Sequence, residues 1–91
     1  MIRKRQRQAI ESLGFTVFER YLHPGDDPVL YPEWQTVIEK NGKTVAVIVT
    51  HGCHTDDPSL YNRYQLRRKG HPTEVFKLKR QAIAAWARSL L

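Results

Sequence analysis

The chain has 91 residues and a formal net charge of +6, with 41% apolar and 26% charged residues, which is the composition of one small folded domain rather than of a disordered tail. A domain of this length buries about two-thirds of the surface its unfolded chain exposes, which excludes a large enclosed active site. The longest apolar run, Val45 to Val49, is far short of the roughly 20 residues of a membrane helix, and a single cysteine, Cys53, excludes an internal disulfide.

The charge is unevenly spread. Residues 1–20 hold five basic and two acidic groups, residues 21–62 hold two and six, and residues 63–91 hold eight and one. If the two basic ends meet in the fold they form a surface suited to phosphate backbones. The start "MIRKRQR" has no apolar leader, so the expectation is a cytoplasmic protein.

In chain order, residues 2–13 place Ile2, Ala9, Ile10 and Leu13 on one helical stripe, with Gly14 as the stop. Residues 15–22, "FTVFERYL", alternate like a strand. The stretch "HPGDDPVLYPE" that follows is too rich in proline for regular structure and long for a connection, which makes it a functional candidate.

Asn41-Gly42 is the dipeptide of a type I′ turn, joining residues 34–40 to 43–50 as a hairpin. A plain two-residue loop sets Ile38 opposite Val45, Thr36 opposite Val47 and Trp34 opposite Val49 on one mostly apolar face. Gln35, Val37, Glu39, Thr44, Ala46 and Ile48 then form the other face.

Asp57-Pro58 reads as a helix start, so "PSLYNRYQLRRK" is expected to be a short helix ended by Gly70. Thr73 is expected to cap a last helix running through Leu91. The expected fold is α+β: a small three-stranded, largely antiparallel sheet with N- and C-terminal helices packed on it and a short intervening helix, in one domain over residues 1–91. The second hairpin face would need the 23–33 loop or a second copy of the chain, hence an expected homodimer.

The segment "THGCHTDDPSL" concentrates chemistry-bearing residues. His51, Cys53 and His54 are zinc-ligand types, with His23 or His71 to complete a set, but adjacent Cys53 and His54 compete for one turn's geometry. His51 or His54, Asn62 and His71 follow in the order of an HNH-type nuclease without that family's strand between the first histidine and the asparagine. The element order also resembles the core of the PD-(D/E)XK nucleases, yet "TVAVIVT" carries neither the acid nor the lysine. No metal or cofactor is expected.

What remains is basic and aromatic: "YNRYQLRRKGH" interleaves Tyr61 and Tyr64 with Arg63, Arg67, Arg68 and Lys69. The expected function is a non-enzymatic accessory or regulatory protein that binds RNA or DNA through Arg3, Lys4, Arg5, Arg7, Arg63, Arg67, Arg68 and Lys69. The alternatives are an adaptor or inhibitor docking on an acidic protein partner, and a metal-dependent nuclease using the His51 to Asp57 loop.

Overall fold

A computed structural model describes residues 2–22, 33–52 and 57–90. Helix α1 (Lys4–Ser12) leads into strands β1 (Thr16–Leu22), β2 (Glu33–Lys40) and β3 (Lys43–Thr50), a single 3-10 turn (Pro58–Leu60), strands β4 (Tyr64–Arg67) and β5 (Glu74–Phe76), and helix α2 (Lys79–Arg88). The strands form one antiparallel sheet in sequential order, β1-β2-β3-β4-β5. The α+β class holds, but the sheet has five strands instead of three, and the two helices are the terminal ones. None of the described helices is long and apolar enough to cross a membrane.

The expected middle helix fails at Asn62. Its backbone lies in the left-handed region at φ 55°, which asparagine tolerates better than most residues and a helix does not. Beyond it, Tyr64 and Leu66 alternate with Gln65 and Arg67, and this period of two pairs the segment with β3, Leu66 opposite Ile48. Val75 and Phe76 likewise belong to β5, Val75 pairing with Gln65, so the last helix starts at Lys79 and not at Thr73. The cap before Pro58 is as expected: Asp57 Oδ1 accepts from the Ser59 amide at 3.0 Å and from the Ser59 hydroxyl at 2.7 Å. Asp56 lies outside the described residues.

The turn at Asn41-Gly42 has both residues at positive φ, 54° and 76°, as a type I′ turn requires. The strands it joins are not in plain register. Glu39 pairs with Thr44 but Ile38 pairs with Ala46, so Val45 is an extra residue, a β-bulge. Every pair further along is therefore shifted by one: Thr36 faces Ile48, Gln35 faces Val49 and Trp34 faces Thr50. The shift turns Ala46 and Ile48 toward the helices.

Both helices cover that one face. Ile2, Ile10, Phe15, Val17, Ile38, Ala46, Ile48, Leu66, Ala82, Ile83 and Trp86 form the buried core, with Phe15 meeting Trp86 edge to face at 4.9 Å. On the other face Val37 and Val49 are also fully buried, while Phe18, Leu22 and Val75 are exposed. Residues 23–32, an expected cover for this face, lie outside the described residues.

Candidate anion groove at the paired helix starts

The two helices begin with the same three residues. Lys4-Arg5-Gln6 opens α1 and Lys79-Arg80-Gln81 opens α2. The preceding N-cap residues are Arg3 and Leu78, whose side chains make no capping hydrogen bond to the helix. In each case the glutamine of the first turn reaches back instead, Gln6 Oε1 accepting from the Arg3 amide at 2.9 Å and Gln81 Oε1 from the Leu78 amide at 3.1 Å. That is half of a capping box, and it leaves the forward amides without a side-chain acceptor.

Neither first turn contains an acid. Cations there oppose the helix dipole, an arrangement that costs stability unless a negative group arrives.

Both starts open into one groove of about 380 Å³, lined by Arg3, Gln6, Thr50, Tyr64, Leu78, Lys79 and Arg80. Lys79 is the unusual member. Only 9% of it is exposed, and among the described residues its Nζ has no hydrogen-bond partner. Burial lowers its pKa below the ordinary lysine value, and the charge of Glu19 partly offsets this. Glu19 itself accepts a hydrogen bond from the Ile2 amide.

The basic residues expected from the sequence differ in how far the fold commits them. Arg3, Lys4 and Arg5 are exposed on or beside α1. Arg7 donates to the Val17 carbonyl at 2.6 Å and lies 3.7 Å from Glu11. Arg63 donates to the carbonyls of Tyr61 and Asn62 at 3.3 and 3.4 Å.

Arg67 makes a two-pronged pair with Glu33, at 3.2 and 3.0 Å. Arg68 pairs with Glu74 at 2.6 Å, its side chain only 10% exposed. Lys69 is exposed. Much of the charge read in the 63–69 segment is thus committed within the protein. Lys79, Arg80 and Thr50 were passed over, and the repeated "KRQ" preceded by non-capping residues is the signal that could have found them.

The opposite face of the sheet carries a polar chain. Arg20 Nε donates to Gln35 Oε1 at 2.8 Å, Gln35 Nε2 to Glu33 at 3.0 Å, and Arg67 to Gln65 Oε1 at 3.1 Å, where the His51 ring nitrogen also lies at 2.7 Å. Burial raises the Glu33 pKa, but hydrogen bonds from Arg67 and Gln35 and the charges of Arg67 and His51 outweigh it, and the net direction is down. Its members satisfy one another, as in a structural network.

Of the proposed metal and nuclease loop, His51 belongs to this network, while Cys53, His54 and Asp56, like His23, lie outside the described residues. Among the described residues no three histidine, cysteine or acidic side chains converge as metal ligands. No protein-family model, curated protein or solved structure matches the chain.

Proposed function

We propose that the protein is a nucleic-acid-binding accessory protein whose groove at the starts of α1 and α2 takes a backbone phosphate. The observation that carries this reading is Lys79, a buried ammonium with no hydrogen-bond partner among the described residues, in a groove where two helix starts lacking an N-cap side-chain acceptor meet Arg3 and Arg80. A phosphate oxygen supplies the missing acceptor for Lys79 and the negative charge that both helix dipoles lack. Lys4 and Arg5, exposed on α1, extend the positive surface along a strand. A nucleic-acid ligand and a lone cysteine fit a cytoplasmic setting.

The test is binding of labelled RNA and DNA by anisotropy to the wild type and to Lys79→Met, with inorganic phosphate as competitor. Expected is a loss of on the order of tenfold in affinity for the variant, the scale of one charge-assisted contact, and competition by millimolar phosphate in the wild type alone. Equal affinity of the two proteins would refute the groove as the phosphate site. Absence of all nucleic-acid binding at low salt would direct the search to an acidic protein partner.

A further inference from the structure

The groove borders a row of side chains that runs straight across the sheet. Tyr21 pairs with Trp34, Trp34 with Thr50, Thr50 with Tyr64, and Tyr64 with Phe76. Residues directly opposite one another point to the same face, so all five lie on the helix-bearing face at the end of the sheet where Thr50 and Tyr64 line the groove. Neither helix covers the near end of the row. Trp34 is 55% and Tyr21 47% exposed, and their rings lie against each other with centroids 4.7 Å apart at 52°.

A lone exposed aromatic is ordinary. Here two are placed side by side, Trp34 one strand spacing of about 4.8 Å and Tyr21 two from Thr50 in the wall of the Lys79 groove. The β-bulge at Val45 sets this arrangement, because without it Trp34 would oppose Val49 instead of Thr50. The other tryptophan, Trp86, is only 2% exposed and packed in the core, so Trp34 is the indole open to a ligand.

We propose that Tyr21 and Trp34 form a shelf on which an unpaired base stacks while its phosphate occupies the Lys79 groove, so that the protein selects single-stranded over double-stranded nucleic acid. This rests on the phosphate reading of the groove and adds the ligand's strandedness. Every base has a π-face, so the shelf is indifferent to sequence. A duplex keeps its bases stacked in its own helix and offers the shelf only backbone. The groove alone would take either form.

The experiment compares labelled single-stranded DNA and RNA oligonucleotides, and duplexes of the same sequence, on the wild type, Trp34→Ala, Trp34→Phe and Lys79→Met. The wild type is expected to prefer single strands. Trp34→Ala should lose on the order of tenfold for single strands with little change for duplexes, and Trp34→Phe, which keeps an aromatic face, should hold most of the affinity. Lys79→Met should weaken both forms together.

Unlabelled single strands should also quench the wild type's tryptophan emission, because Trp86 is shielded and Trp34 is the indole within reach. Loss on Lys79→Met with unchanged single-strand binding by Trp34→Ala would overturn the shelf while leaving the phosphate site standing. Failure of the wild type to bind either form would overturn both.

Discussion

Lys79 and Glu33 are both partly withdrawn from water, and the structure treats them in opposite ways. No described hydrogen bond compensates Lys79, and its pKa falls below the ordinary 10.5. A lysine with a depressed folded pKa binds fewer protons folded than unfolded, so its cost is fully present at neutral pH and is relieved as pH rises from the folded value toward 10.5. Replacing it with methionine is therefore expected to raise stability at pH 7, by on the order of 1 kcal/mol, even as binding is lost. Phosphate should raise the wild type's melting temperature and not the variant's. A methionine variant less stable than the wild type at every pH would mean that the ammonium is satisfied.

Glu33, held below its ordinary 4.5 by Arg67 and Gln35 against the opposing effect of burial, contributes stability that is present above 4.5 and lost as pH falls through the folded value. Glu33→Gln is expected to cost about 1 kcal/mol or less at pH 7, the scale of a partly exposed pair. The difference from the wild type should vanish in acid. Denaturant titrations from pH 7 down to pH 3 give both limbs.

At the scale of elements, what the sequence made legible was the signal that stands alone. Asn41-Gly42 announces its turn, Asp57-Pro58 its cap, and the stripe of Ile2 and Ile10 the first helix. The bulge was not legible, because β3 is apolar on both sides. Val45, Val47 and Val49 serve as an inward set as well as Ala46 and Ile48 do, so nothing in the pattern forbids the slip of one residue that exchanges the faces.

The strand at Tyr64–Arg67 was hidden by its composition. Gln, Leu and Arg are good helix formers, and Leu60 and Tyr64 have helical spacing, so tertiary pairing with β3 overrides local preference there. Leu66 decides between the readings. It is fully buried opposite Ile48 at the sheet centre, and Leu66→Ala is expected to cost about 2–5 kcal/mol in denaturant unfolding. A short surface helix could shed the same side chain at much smaller cost, and a loss under 1 kcal/mol would contradict the strand.

For the whole molecule, the net charge matters less than which cations are already spoken for. The basic ends were legible as a sum, but sequence could not show that Arg67 and Arg68 turn to Glu33 and Glu74, since those acids lie in separate strands and meet the arginines only through the sheet. Nor could it show that two "KRQ" starts, more than seventy residues apart, open into one groove. Salt dependence separates the two distributions. Each cation that displaces a counterion from a single strand contributes about −0.7 to the slope of log affinity against log salt, so Arg3, Lys79 and Arg80 together give roughly −2, and Lys4 and Arg5 steepen it if they touch the strand. Removing Lys79 should flatten the slope by about 0.7. Changing Arg67 and Arg68 together to glutamine should leave the slope in place while lowering stability, because those side chains hold strands together instead of a ligand. The reverse pattern, a flatter slope from the Arg67 and Arg68 change and none from Lys79, would move the binding surface to the β4 side and leave the buried ammonium unexplained.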